Sequence, residues 1–322
     1  MIAWGKRLTS RDSIDMKIRI NISAWRGHVE TMFKATIPSL LAEGNLPTLV
    51  QSHDISIDIC TSPQTNIDAI ETCGLQDFAD VSIHRVRLTR NAHRSFTRMQ
   101  NVTVGKAMDE AAGCIFLCPD MILADGTLAW LSSRVQDAMA VVVPGILRTN
   151  KEVVMPLIEN DGVLCIKPRD LIAMFLANRH AATTSLNAEN LASKWPSMLY
   201  WDVPNQGVVC KCFHAHPIYV MPTGQIADTI DGSFLQNCEN IVYANSSDDI
   251  AIIELSRESH MSRTIGEPVP INEWANRHAL PVHRQHAQQT FRCVAVMTDG
   301  FAWQSTERRA DLFIREAMCV SA

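Results

Sequence analysis

Apolar and polar positions alternate with period two over residues 17–24, KIRINISA, and that pattern predicts a strand with one face turned inward. Residues 28–42 change to a spacing near 3.6 and predict a helix, broken or kinked at Pro38 and closed by Gly44-Asn45. Ile55–Cys60 reads as a second strand, Asn66–Thr72 as a short helix, and Val81–Leu88 as a third strand. Ser95–Ala112 reads as a helix with Ser95 as its cap and Gly113 as its stop. Cys114–Leu117 and Ala140–Ile146 are short and wholly apolar, as strands covered on both faces are, with a helix over Gly126–Met139 between them. Strand and helix therefore alternate through the first half, which predicts an α/β fold built on a mainly parallel, Rossmann-like sheet flanked by helices.

The second half loses this rhythm. Helices are read over Arg169–Arg179 and Asn187–Lys194, short strands between Met198 and Met221, further strands at Ile241–Tyr243 and Ile250–Leu255, and a closing helix over Glu307–Met318. The division that follows is an N-terminal extension over 1–15, a nucleotide-binding α/β half over 16–160, and a smaller mixed α+β half over 161–322 packed on the same unit, carrying acceptor contacts or a metal site.

Composition narrows the function. Of 322 residues, 47% are hydrophobic and 20% charged, which is ordinary globular usage. The net charge of −5, from 29 basic and 34 acidic residues, lacks the basic excess of a nucleic-acid binder. No run approaches the ~18 apolar residues of a membrane span, and Met1–Asp15 lacks the apolar stretch of a signal peptide. The ten cysteines contain no CxxC pair, which suits reduced thiols and a cytoplasmic setting. GxGxxG, GxxxxGK[ST] and GxSxG are all absent from the sequence, so dinucleotide dehydrogenases, P-loop NTPases and α/β-hydrolases lack support, and no organic cofactor is expected.

In open parallel sheets the ligand lies beyond the carboxyl ends of the strands. The candidates are then Ser23, Trp25 and Arg26 after the first strand, Arg90, Asn91 and Arg94 (with His93) after the third, and Asp120 after the fourth. A carboxylate ending an apolar strand is costly unless it is paired or bound to a cation, so Asp120 suits a metal or ribose ligand, with a helix cap as the plain alternative. Asp125 reads more simply as a cap. Arginine forks suit a diphosphate, although Arg90 and Arg94 equally suit a solvated loop. Trp25 could stack on a base or merely cover the sheet edge. Arg148 and Lys151 could reach a phosphate but read as solvent charges, and His278, His283 and His286 read as surface residues. In FHAHP, His214 and His216 would face the same side of a strand, at chelating distance for one ion, with Asp228 and Asp231 nearby.

Taken together, KIRINISA, the helix running to Gly113, GCIFLCPDMILADGTLAWL and FHAHPIYV resemble a GT-A-type nucleotide-sugar glycosyltransferase. The resemblance implies transfer of a sugar from a nucleotide diphosphate donor to an unidentified acceptor, with a divalent cation, Mn or Mg, held at an Asp-x-Asp motif. Asp120 matches the second Asp of that motif, His214 or His216 the later metal ligand, and Asp231 the catalytic base. Cys118 stands where the first Asp would be, and a thiol is a poor partner for these oxygen-seeking ions. Two other readings stay open: a metal-dependent hydrolase or lyase using His214, His216 and Asp231, and a catalytically degenerate nucleotide-sugar-binding or scaffold protein.

Overall fold

The computed structural model describes residues 16–144, 147–158, 162–228, 230, 234–236, 238–263 and 265–319. Thirteen strands are seen among them. In chain order they are β1 (Lys17–Ser23), β2 (Asp54–Thr61), β3 (Asp80–Arg85), β4 (Gly113–Leu117), β5 (Met121–Leu123), β6 (Ala140–Val143) and β7 (Leu147–Asn150). There follow β8 (Met198–Val203), β9 (Gly207–Cys212), β10 (His216–Val220), β11 (Ile241–Tyr243), β12 (Ile252–Ser256) and β13 (Phe291–Val294). The main sheet has seven strands in the order β11-β6-β10-β4-β1-β2-β3. Strands β1 to β4 run parallel. Strand β10 alone runs against its neighbours β4 and β6, and β11 lies parallel to β6. The α/β architecture with a mostly parallel sheet is thus present, and the sheet takes β10 and β11 from the second half of the chain.

The two faces of β1 are both buried, for different reasons. Ile18, Ile20 and Ile22 join the main core with Met32, Ala35 and Ile37 from the segment behind β1. That segment is not one regular helix: α-helical turns His28–Thr31 and Ile37–Leu40 flank a π-helical turn, Met32–Thr36, and Pro38 stands in the first turn of the later piece. Pro38 has no NH to give to the helical ladder, and the ladder departs from α geometry just ahead of it, where the Ile37 NH reaches back five residues to the Met32 carbonyl. On the opposite face Arg19 and Asn21 lie under the long helix Ala92–Glu110. Arg19 forms a bidentate pair with Asp58 of β2 at 2.8 and 2.9 Å and reaches Glu110 of the helix at 2.8 Å. Asn21 donates to Thr103 at 2.8 Å. The polar positions of that alternation form an inner layer tying sheet to helix.

Two small sheets complete the molecule. In the order β5-β12-β7, strand β12 pairs antiparallel with β5 and parallel with β7. In the order β13-β9-β8, three antiparallel strands pack under the helix Gly300–Cys319 around Trp201, Trp274 and Trp303. Asn187–Lys194 is not a helix: a short helix, Ala181–Thr184, precedes it, and Asn187 spends its side chain on Asp202 and on the Glu189 backbone NH.

Candidate functional site

Strand order places β2 on one side of β1 and β4 on the other, so the chain reverses direction across the sheet between β1 and β4. Ligands of open α/β sheets lie beyond the carboxyl ends of the strands at such a point. Here those ends carry Ser23-Ala24-Trp25-Arg26 and Leu117-Cys118-Pro119-Asp120. They meet: His28 Nδ1 lies 3.2 Å from Asp120 Oδ2. The backbone NH of Leu255 donates to the Asp120 carbonyl at 2.8 Å, hooking the tip of β4 onto β12. The register of β12 then sets Glu254 opposite Met121 of β5 and Arg148 of β7. A second carboxylate therefore stands beside Asp120, and the side chains of both are only 13% exposed.

The charges at this tip are unequal. Burial first, and the Asp120 carboxylate second, push Glu254 above the usual glutamate range. Arg148, with Nε 3.3 Å from Glu254, and the Ser256 hydroxyl, donating at 2.7 Å, pull the other way without prevailing. Cys118 is raised well above an ordinary thiol, chiefly by burial and then by Asp120 and Glu254. It stays a thiol and not a thiolate.

A polar crevice of about 470 Å³ opens beyond β1, β2 and β3, lined by Arg26, Ser62, Gln64, Thr65 and Asn66, with Val29 and Leu88 as apolar wall. Its residues follow β1, β2 and β3, all at their carboxyl ends. Arg85 fixes the rim by donating to the carbonyls of Ser62 and Thr65, whose hydroxyls meet at 2.7 Å. Arg26 adopts φ 55°, a left-handed conformation costing a non-glycine residue roughly 1–2 kcal/mol. Strain of this kind clusters at ligand-binding turns.

The other sequence candidates are placed as follows. Ser23 is fully buried and donates to Asn21 at 2.9 Å, so it braces the end of β1 from inside. Trp25 is half-buried between His28 and Phe96, each ring 6.2 Å away. Arg90 and Arg94 are exposed at the start of the long helix. Asn91, not Ser95, caps that helix, accepting the Arg94 NH at 3.1 Å, while the Ser95 hydroxyl accepts from the Thr89 NH inside the first turn. Asp125 caps nothing; its carboxylate accepts the Gly44 NH at 2.7 Å and pins that turn to Gly126.

His214 and His216 do not share a strand. His214 lies in the turn between β9 and β10, its ring 4.2 Å from His283 and 5.3 Å from Trp274. His216 opens β10 with Nε2 3.4 Å from the Phe116 carbonyl, at the carboxyl edge of β4. Nor are His283 and His286 surface residues: they are 4% and 2% exposed, within an aromatic and imidazole cluster. Asp231 lies outside the described residues. The segment before it docks on the long helix, where Asn101 exchanges two 2.7 Å hydrogen bonds with the Ile226 backbone.

His28 belongs to the loop after the first strand that the sequence already offers, Trp25-Arg26-Gly27-His28, whereas Glu254 is not among the sequence candidates and Arg148 and Lys151 read there as solvent charges. The signal for Glu254 was present in Ile252-Ile253-Glu254-Leu255: an acid inside an apolar strand, as costly as Asp120 and equally in need of a partner.

The divalent ion that the resemblance implies fits these residues poorly. Asp120 is engaged by His28 and Glu254 by Arg148, and Cys118 stays protonated. Among the described residues no three His, Cys, Asp or Glu side chains gather as ligands.

No protein-family profile and no curated protein matches the sequence. Among solved structures, S. aureus TarS residues 1–349 is similar at 9% identity and TM-score 0.29, over 40% of this chain and 35% of that one. The same protein in complex with UDP gives 10% identity and TM-score 0.29, over 42% and 37%. A further TarS structure gives 12% and 0.28, over 42% and 22%. This chain therefore spans between 22% and 37% of those chains. Likeness that loose assigns neither a family nor an activity.

Proposed function

We propose that the chain transfers a glycosyl group from a nucleoside-diphosphate sugar, with the nucleoside in the polar crevice and the diphosphate at the β1–β4 switch point. One observation carries the reading: a shielded carboxylate pair, Asp120 and Glu254, stands at the strand tips, and His28, which contacts Asp120, lies in the chain between Arg26 and Val29 of the polar crevice. Amides and hydroxyls from Gln64, Asn66, Ser62 and Thr65 suit a base edge and a ribose, with Arg26 bordering them. Arg90 and Arg94 add positive charge at the neighbouring helix start.

In the reaction the acceptor oxygen bonds to the anomeric carbon as the bond from that carbon to the phosphate oxygen breaks. The electron pair leaves on the diphosphate. Glu254 takes the acceptor proton, a role that an acid raised toward neutrality performs well and that fits its place beside Asp120. Asp120, held by His28, orients the donor sugar through its hydroxyls. This reading moves the base from Asp231 to Glu254, because a named geometry supports Glu254.

The test is turnover of UDP-sugars and GDP-sugars, including slow hydrolysis to water. Asp120→Ala abolishes it while circular dichroism and melting stay as in the parent chain. Unchanged turnover in that variant overturns the proposal.

A further inference from the structure

Two further cations, Lys151 and Arg257, contact the segment that follows β1. Lys151 follows β7 and Arg257 follows β12, and these parallel strands end in the same register, Asn150 beside Ser256. Both side chains reach back to the turn after β1. Lys151 Nζ donates to Thr31 Oγ1. The Arg257 guanidinium lies so close over Gly27 that a Cβ there would meet Nη2 at 2.7 Å. His180 holds the Arg257 carbonyl at 3.0 Å and fixes the backbone from which the side chain projects.

Like charges are here brought together. Burial first, and Arg257 second, push Lys151 below an ordinary lysine. The carboxylates around them are committed elsewhere: Glu30 to Lys34 at 3.2 Å, Glu152 to the Glu258 NH at 3.2 Å, and Asp120 to His28. Among the described residues no carboxylate lies within ion-pair distance of Lys151 or Arg257. Glu30, Asp120 and Glu152 act on Lys151, and Glu30 on Arg257, only from beyond ion-pair distance. Two neighbouring cations at the mouth of a ligand site, with no carboxylate in direct contact among the described residues, suit an incoming anion.

We infer that Lys151 and Arg257 form an anion-binding site for a pyrophosphate ester, holding the donor's diphosphate with fixed side-chain charge in place of a divalent ion. The inference rests on the donor reading above. An arginine fork and a lysine point charge match phosphate oxygens, and they stabilise the negative charge that grows on the leaving diphosphate. The bound anion in turn relieves the repulsion between the two cations.

Calorimetric titration of the full chain with inorganic pyrophosphate in excess EDTA tests this. The parent chain binds without added metal, and Lys151→Met and Arg257→Gln each weaken binding at least tenfold. Gly27→Ala is the companion that guards against misfolding: residue 27 has φ −66°, which alanine accepts, and the new methyl displaces only the far end of Arg257. It weakens pyrophosphate with melting unchanged. Arg169→Gln, which removes an exposed pair with Asp248, leaves the affinity as it was. Binding that appears only with Mn²⁺ or Mg²⁺, or affinity that is equal in the parent, Lys151→Met and Arg257→Gln chains, overturns the inference. UDP and GDP in the same titrations separate the two claims: if neither binds more tightly than pyrophosphate, the donor reading falls while the anion site stands.

Discussion

Glu254 shows how one side chain sets the chemistry of the site. A carboxyl raised by burial and by a neighbouring charge holds its proton more tightly in the folded chain than in the unfolded one. Its contribution to stability is therefore present below the ordinary glutamate value of about 4.3 and is lost as pH rises through the raised value. Glu254→Gln removes that loss, so the variant gains stability relative to the parent between pH 4 and pH 7. Urea melts across that range check it, and a difference that stays flat contradicts the assigned environment. The same substitution lowers transfer by about 10²–10⁴-fold and removes the acid limb of the rate profile, as deletion of a proton acceptor does. Asp120 was legible in the sequence because an acid ends an apolar strand. Glu254 shows the same local signal, but that the two meet does not follow from it, since Glu254 pairs with Met121, 133 positions away, and no local pattern encodes that pairing.

At the scale of elements, the layer between β1, β2, β3 and the helix Ala92–Glu110 shows what a local pattern conceals. Asp58 is fully buried and accepts from Arg19, from His84 at 2.7 Å and from Lys106 at 3.3 Å. Burial opposes its charge, yet hydrogen bonds from His84 and Arg19 hold it well below the usual carboxylate range. Removing one partner of a buried ion pair leaves the other uncompensated, so Asp58→Asn costs about 3–5 kcal/mol in a denaturant melt. A loss under about 1 kcal/mol, the scale of a surface pair, contradicts the account of that layer. The strands themselves were readable from period-two and apolar runs. The helix expected over Asn187–Lys194 was not there, because Asn187 bonds its own chain two residues on and Asp202 across a turn, the competition by which short polar side chains displace helices. Strands β5 and β7 lie directly against the neighbouring strand or turn, without a polar segment to set them off, and only their pairing with β12 marks them as strands.

For the whole molecule, the order of strands does the placing. Three parallel strands on one side of the reversal supply the crevice, β4 supplies Asp120, and the small β5-β12-β7 sheet brings Glu254, Lys151 and Arg257 to the same edge. Among the described residues no helix is long and apolar enough to cross a membrane. The most direct test of the account is hydrogen–deuterium exchange of the whole chain with and without UDP and GDP. The account predicts slower exchange in three separate stretches, residues 24–31, 62–66 and 254–257, for at least one of the two nucleotides. Protection confined to other parts of the chain, or none with either nucleotide, would contradict a nucleotide site at the β1–β4 reversal.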